Sequence, residues 1–293
     1  MPNSYKHRAG DRKDGRLLRS LTASDHFKPY LKRDRGASCI FYEEDLDVTE
    51  ADNCLRQERT GGYQNIGFLH FFIAAYIRCV SMLPGINRFI VGRHIFARNE
   101  IEVVLSVKRS TAIEASDTLV KIRFEATDTI FDVYRKINER IDELKTDDGS
   151  DTMSDLLDTF SRAPRLLLRI GFLAMRMLDY LGLLPQNWID RSNYHASLQI
   201  IDAGALNISP AYVQTGDFGT LPLTLSFGSK HHVYEMDKTG AVTDTQHIIC
   251  KASVDGRLVD ARYYAQFAGA MRYIFAHPEI LEHAPNRLVE DVG

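Results

Sequence analysis

The sequence predicts one α/β domain built on a mixed β-sheet that is flanked by helices. Three observations lead to this prediction. Strand-type and helix-type segments are mixed along the chain, the last third is rich in strand-type segments that include a hairpin, and no internal repeat or low-complexity linker divides the chain. Strands and helices mixed in this way, with a late antiparallel hairpin, are typical of a mixed sheet with helices packed on its faces.

Composition and charge fit a globular protein and exclude several functional classes. The 293 residues are 44% hydrophobic and 26% charged, and the formal net charge is −3. This charge gives no basic excess for nucleic acid binding. The four cysteines lack metal-binding spacing, so we expect reduced thiols in a cytoplasmic protein and no metal site. The N-terminus is polar and lacks the apolar region of a signal peptide. The sequence contains no run of about 18 apolar residues, so we expect no membrane-spanning helix.

Hydrophobic periodicity and turn residues give the elements in chain order. The predicted strands are 38–48, 88–97, 101–109, 119–125, 196–202, 220–228 and 245–255. The predicted helices are one capped by Thr49 and ended by Gly61-Gly62, a buried one at 68–83, an amphipathic one at 129–144, a segment at 156–184 and one at 261–276. Residues 1–37 are predicted to form an N-terminal arm, and residues 38–293 a domain with a helical insert at about 150–190.

The helical segment 156–184 carries its arginines on one face. Arg162, Arg165, Arg169 and Arg176 recur at three-, four- and seven-residue spacings within a largely apolar sequence. We interpret this segment as a helix that packs across a partner subunit or a sheet. A helix lying on a membrane surface is the alternative, because such helices combine an apolar face with basic residues.

Three segments of the chain, taken in order, resemble one enzyme family. They are GFLHFFIAAYIRCVSMLPGINRFIVGRHIFARNEIEVVLSVKR, IIDAGALNISPAY followed by DFGTLPLTLSFGSK, and VDGRLVDARYYAQFAGAMRYIFAHPEILEHAP. In their order and spacing they resemble chloramphenicol acetyltransferases and the catalytic domains of dihydrolipoyl acyltransferases, over most of residues 38–285. The resemblance implies the coenzyme A-dependent acyltransferase fold.

The last of these segments departs from the family at the catalytic position. The family motif D-H-R-V-V-D-G supplies a histidine that acts as general base on the acceptor. Asp255, Arg257 and Asp260 match the charged residues of that motif, and the second of the two aspartates is expected to orient the turn into the next helix. The histidine position is Gly256 and the final glycine is Ala261. Loss of a general base typically lowers a rate by about 10² to 10⁴.

Other residues are candidates for the remaining roles. The family uses a Ser or Thr hydroxyl to stabilise the oxyanion, and in the matching region Asn207 or Ser209 could donate such a hydrogen bond. His195, just before a predicted strand, is the best candidate to replace the missing histidine. His70 lies in the buried helix and is expected to be a hydrogen-bonded core residue.

The resemblance therefore implies an acyltransferase-like protein whose activity is weak, altered or lost. It would bind coenzyme A or acyl-CoA between the subunits of a homotrimer, with a small-molecule acyl donor and acceptor. We expect no lipoyl domain, because no separate stretch of the sequence suits one, and Lys238 at the predicted hairpin turn is interpreted as a charged tip rather than a lipoyl attachment site. The alternative is a non-catalytic trimeric module that binds a ligand or a partner.

Overall fold

The computed structural model describes residues 8–32, 34–108, 117–146, 164–214, 216–236, 239–258 and 260–291. These residues form a six-stranded sheet and a three-stranded sheet with helices packed on them. The strands are β1 (Gly15–Leu17), β2 (Cys39–Asp47), β3 (Arg88–Val91), β4 (His94–Arg98), β5 (Ile101–Lys108), β6 (Asp117–Phe124), β7 (Leu198–Asp202), β8 (Leu223–Met236) and β9 (Val242–Asp255). The helices are α1 (Ala23–Leu31), α2 (Arg35–Ser38), α3 (Thr49–Thr60), α4 (Phe68–Met82), α5 (Ile130–Thr146), α6 (Arg165–Tyr180), α7 (Gln186–Arg191) and α8 (Ala261–Ala276).

The large sheet is mixed, as the sequence predicts. Its strands lie in the order β2-β9-β8-β7-β5-β6. Strand β7 runs parallel to both of its neighbours, whereas the other pairs are antiparallel. The α/β class and the mixed sheet flanked by helices are thus confirmed.

Helix α4 forms the centre of the main core. Its residues from His70 to Ser81 are buried on every side, which explains why apolar residues cover its whole circumference. Phe72 stacks on Phe227 of β8 with ring centroids 4.5 Å apart, and it also contacts Phe275 of α8. The predicted buried helix is confirmed, and it ties the sheet to the C-terminal helix.

His70, near the start of this helix, is a neutral core residue, as expected. Its Nδ1 accepts a hydrogen bond from the backbone N–H of Gly67 at 3.1 Å. Burial lowers the pKa of His70 from 6.5 to about 4, because the charged imidazolium would lose its hydration. The side chain therefore gains a proton far more readily in the unfolded chain than in the folded one.

We expect this histidine to make the protein acid-sensitive. A lowered pKa in the folded state stabilises the fold above pH 6.5, and this contribution is lost as the pH falls from 6.5 toward 4. The loss attributable to His70 should reach about 2 kcal/mol at about pH 5. Urea unfolding of the parent and of His70→Gln, at about pH 7 and pH 5, checks this: the parent should lose more stability than the variant. The exposed His277→Gln serves as control, and equal losses in parent and His70→Gln would contradict the assignment.

The segment 88–97 is a hairpin rather than the single strand that the sequence predicts. Gly92 and Arg93 both have positive φ angles, 58° and 64°, as in the tight two-residue turns that join antiparallel strands. Phe89 and Phe96 stack across the pair with centroids 5.3 Å apart. The sequence pattern hides the turn because apolar residues flank it on both sides. Strands β3 and β4 join β1 in the three-stranded sheet.

Two further boundaries differ from the sequence prediction. Thr49 is the first residue of α3 rather than its cap, and its hydroxyl donates to the side chain of Asp47. Strands β8 and β9 extend to Met236 and Val242, beyond the predicted ends at 228 and 245. Past His247 they pair with each other without β2, so they project as a two-stranded ribbon. Lys238, at its predicted tip, lies outside the described residues.

The helical insert is represented by α6 and α7, and Arg162 lies outside the described residues. Helix α6 is attached at its C-terminal end, where Asp179 is buried against Arg12 of the N-terminal segment. That segment thus contacts the insert, and its strand β1 pairs with β4.

The division into an arm at 1–37 and a domain at 38–293 stays a prediction. No helix in the described ranges is long and apolar enough to cross a membrane.

Candidate functional site

The motif expected to carry the chemistry lies where β9 ends and α8 begins. Asp255, the last residue of β9, is buried and forms a two-point ion pair with Arg257, at 2.9 and 2.7 Å. The carboxylate of Asp255 also accepts the backbone N–H of Arg257 at 3.1 Å. The two charges that match the family motif therefore neutralise each other and stabilise a tight turn around Gly256.

Gly256 is buried with no space for a side chain. Its backbone N–H donates to the carbonyl of Ser38 at 3.1 Å. A Cβ atom placed on Gly256 would lie 2.6 Å from Cδ1 and 2.8 Å from Cγ1 of Ile40, and 2.8 Å from the Ser38 carbonyl oxygen. Ser38 and Ile40, at the junction of α2 and β2, thus fill the space beside Gly256, and no side chain can be added there without movement of these neighbours. That Gly256 stands at the position of the family's histidine stays a prediction from the sequence.

Asp260 acts at the start of helix α8. Its side chain accepts the backbone N–H of Tyr263 at 2.8 Å, which is the hydrogen bond of a helix N-cap. The carboxylate thus caps α8 where the turn from β9 ends, and its role in orienting that turn stays a prediction.

A small cavity lies beside the Asp255 turn. Its volume of ≈ 10 Å³ has room for about one water molecule. It is lined by Arg35, Cys39, Val213, Gln214, Pro222, Thr224, Ser253, Val254 and Asp255. The buried guanidinium of Arg35 donates to the carbonyls of Gly216 and Gly219, and burial lowers its pKa. This cavity is too small for an acyl group.

Asn207 and Ser209 lie on an exposed turn that follows β7. Asn207 has a φ angle of 56°, a left-handed conformation that asparagine tolerates better than most residues. The end of β7 pairs with Phe227, whereas the Asp255 turn lies next to Leu223 at the start of β8. Measured along β8 from Leu223 to Phe227, the Asp255 turn and the end of β7 lie about 13 Å apart. Within one chain, therefore, the oxyanion candidates and the Gly256 turn lie apart.

His195 is fully buried in a different environment. Its Nδ1 is 2.8 Å from the hydroxyl oxygen of Ser192, and its Nε2 is 3.3 Å from a carboxylate oxygen of Asp179. Its ring packs edge-on against Phe218. His195, Ser192 and Asp179 resemble a hydrolytic triad in composition, but the imidazole has no exposed surface from which to reach a substrate.

The partner of His195 belongs to a buried charge network, which we call the Arg12 clamp. It consists of Arg12, Asp14, Asp179 and His195. Arg12 lies 2.8 Å from Asp14 and 3.3 Å from Asp179, and it also donates to the backbone carbonyl of Asp179 at 2.9 Å. Burial disfavours the charged form of Asp179, but the neighbouring His195 imidazole and the charge of Arg12 outweigh it and lower its pKa. The clamp joins the N-terminal segment, α6 and the loop before β7.

Sequence reasoning missed Ile40, Ser38 and the Arg12 clamp. In the sequence, Ile40 does not differ from any other strand residue, and Arg12 lies in a basic, turn-rich stretch without periodicity.

The four cysteines are free thiols, of which Cys79 and Cys250 are buried and Cys39 and Cys54 half-buried. Among the residues that the structure describes, no group of three His, Cys, Asp or Glu side chains is arranged to hold a metal ion.

Comparison with solved structures identifies the fold. The chain superposes on a probable dihydrolipoamide acetyltransferase from Listeria monocytogenes with a TM-score of 0.54 and 13% identity, covering 92% of this chain and 96% of that one. The dihydrolipoamide acetyltransferase of Azotobacter vinelandii gives a TM-score of 0.51 at 10% identity, with 94% of each chain covered. A chloramphenicol acetyltransferase gives 0.51 at 9% identity, covering 87% of this chain and 96% of that one.

The expected fold is therefore confirmed: the chain has the fold of chloramphenicol acetyltransferase and of dihydrolipoamide acetyltransferase cores. A scan against protein-family models gives no match, and neither does a search of curated proteins. At these identities the likeness concerns the fold, and the chemistry has to be argued from the side chains.

Proposed function

We propose that this chain is an acyltransferase-like protein in which histidine-dependent acyl transfer has been lost. The observation that supports this most is the packing at Gly256, where Ile40 and the Ser38 carbonyl occupy the space that a side chain would need. A glycine has no side chain that could accept a proton. His195, the candidate replacement, is fully buried inside the Arg12 clamp.

The comparison with the Azotobacter enzyme supports the same proposal. In that enzyme a serine, a histidine and an asparagine have been investigated for their role in the catalytic mechanism, and the histidine and asparagine lie four positions apart. Gly256 and Asp260 have the same separation in this chain. The first offers no side chain, and the second uses its carboxylate to cap α8.

The proposed protein would still bind a ligand even though it no longer transfers acyl groups through a histidine. The family resemblance leads us to expect a homotrimer that holds coenzyme A or acyl-CoA between subunits, with a small-molecule donor or acceptor. The alternative is a non-catalytic trimeric module that binds a ligand or a partner. The cytoplasmic location also stays a prediction.

Acyl transfer from acetyl-CoA to simple thiol and hydroxyl acceptors tests the loss of activity. We expect turnover at least about 100-fold below that of a dihydrolipoamide acetyltransferase core assayed beside it, because the general base is absent. Chromatography of the coenzyme A products gives the rates. Transfer at the rate of that enzyme, unchanged by His195→Gln, would show that the catalytic position has been assigned wrongly.

Calorimetry with coenzyme A separates the two forms of the proposal. Binding with a Kd below roughly 1 mM would support a retained acyl-CoA site, whereas no binding at millimolar ligand would favour the partner-binding module. Sedimentation of the same sample gives the oligomeric state, for which we expect a trimer.

A further inference from the structure

Helix α6 turns its apolar side away from the protein. It contacts the rest of the chain through a narrow stripe that includes half-buried Leu168 and Met175 and the buried Asp179. Residues on the opposite side are largely exposed: Leu166 69%, Ile170 56%, Leu173 67% and Met177 63%. Amphipathic helices of globular proteins normally bury such a face, so this orientation requires an explanation.

The exposed apolar surface extends along the whole helix and beyond it. Leu167 and Leu178 widen it, and Leu181 and Leu183 continue it past the end of α6. A helix of 16 residues is about 24 Å long. Contiguous apolar patches of more than a few hundred Å² are rare on monomeric proteins and mark surfaces that contact a partner or a membrane.

The polar residues on the exposed surface of α6 are cationic. Arg165, Arg169 and Arg176 are exposed, and at about 100° per residue they lie within about 40° of one another, along one edge of the apolar face. The single acidic residue of α6 is Asp179, which is buried in the Arg12 clamp. The helix therefore presents apolar and positively charged groups side by side, without a carboxylate to balance them.

We propose that α6 lies on the surface of a membrane that contains anionic phospholipid. The exposed residues Leu166, Ile170, Leu173 and Met177 would enter the boundary between headgroups and acyl chains, and the three arginines would reach the phosphates along the edge. Anionic headgroups attract each basic residue held near the surface, which complements the charge of this helix. At about 24 Å, α6 is shorter than the hydrocarbon core of a bilayer, which is about 30 Å thick, so it would lie in the plane of the surface.

A second copy of the chain explains the same surface less well. Two α6 helices packed face to face would bring their arginine bands into one interface, and neither helix has an exposed carboxylate to pair with them. Unpaired like charges oppose such an interface. The Arg12 clamp, by contrast, fixes α6 on the body of the protein with its apolar side outward, which is the geometry that a membrane contact needs.

Co-sedimentation of the full chain with sucrose-loaded vesicles tests this proposal. The vesicles are phosphatidylcholine alone, or phosphatidylcholine with phosphatidylglycerol at about three to one. We expect at least roughly tenfold stronger partitioning onto the anionic vesicles, reduced by added salt.

Matched variants assign the contact to α6. Leu166→Gln/Ile170→Gln/Met177→Gln removes apolar groups, and Arg165→Gln/Arg169→Gln/Arg176→Gln removes charge; both use exposed positions and a good helix former. Each should lower binding at least roughly tenfold. Phe27→Gln/Leu31→Gln changes exposed apolar residues of α1 and should bind like the parent.

A fluorescent reporter gives a second measurement. Leu173→Trp, in a Trp188→Phe background, places one tryptophan in the centre of the apolar face. Its emission should shift to the blue with anionic vesicles and not with phosphatidylcholine alone.

The proposal would be overturned by equal binding to both vesicle types, by parent-like binding of the apolar triple variant, or by an unshifted emission from Leu173→Trp. If the apolar variant instead lowers the mass measured by sedimentation while vesicles never bind, a second copy covers this face and the proposal is wrong. Loss of acyl transfer or of coenzyme A binding has no bearing on these results, so the two proposals fail separately.

Discussion

Arg12→Met is expected to lower the free energy of unfolding by about 3–5 kcal/mol, because it leaves two buried carboxylates without their cation. Arg12 lies against Asp14 and Asp179, and all three residues are buried. Methionine preserves most of the apolar stem of arginine. The decrease in unfolding free energy therefore reflects the removed charge rather than a change in packing. Urea unfolding at about pH 7, followed by circular dichroism, measures it.

An exposed ion pair provides the matched control. Arg140 and Glu143 lie 2.7 Å apart on α5, with side chains 42% and 63% exposed. Arg140→Met removes the same kind of group but should cost less than about 1 kcal/mol, since water replaces the lost partner. A similar cost for both variants would show that the Arg12 clamp contributes no more than a surface pair.

Gly256→Ala is expected to destabilise the protein by about 3 kcal/mol, near the upper end for one added group in a filled site. The new methyl group would lie 2.6 Å from a flexible atom of Ile40 and also 2.8 Å from the backbone oxygen of Ser38. The isoleucine can rotate, whereas the carbonyl belongs to the backbone that leads into the main sheet and cannot. Urea unfolding again measures the change.

Gly269→Ala is the control for this substitution. Gly269 lies inside α8, and a Cβ atom there would meet nothing within 4 Å. Alanine in a helix interior should stabilise the protein by up to about 1 kcal/mol. Combining Gly256→Ala with Ile40→Ala should recover part of the loss, and strictly additive effects would contradict the close contact.

Helices α4 and α8 were predictable because their patterns are local. The uninterrupted apolar run of α4 indicates burial, and the limits of α8 follow from its periodicity and the proline after it. The hairpin of β3 and β4 was not predictable in the same way. Its turn depends on the positive φ angles of Gly92 and Arg93, which a continuous run of strand formers conceals.

In the candidate site, too, some features follow from the local sequence and others depend on contacts between distant segments. The absence of a histidine at Gly256 is a fact of residue identity, so the sequence alone reveals it. What fills the adjoining space is Ile40, a residue from far earlier in the chain that becomes a neighbour only when β2 pairs with β9. His195 illustrates the same limit, because Asp179 joins Ser192 around it only after α6 docks.

The Arg12 clamp has a consequence for the order in which this chain matures on the ribosome. Asp179 is synthesised 167 residues after Arg12. Until both are outside the exit tunnel, the segment around Arg12 has no anchor on α6, and ordering such a distant pair is slow. A nascent chain must therefore carry its N-terminal segment unanchored, with Arg12 and Asp14 still in water, until α6 has emerged from the ribosome.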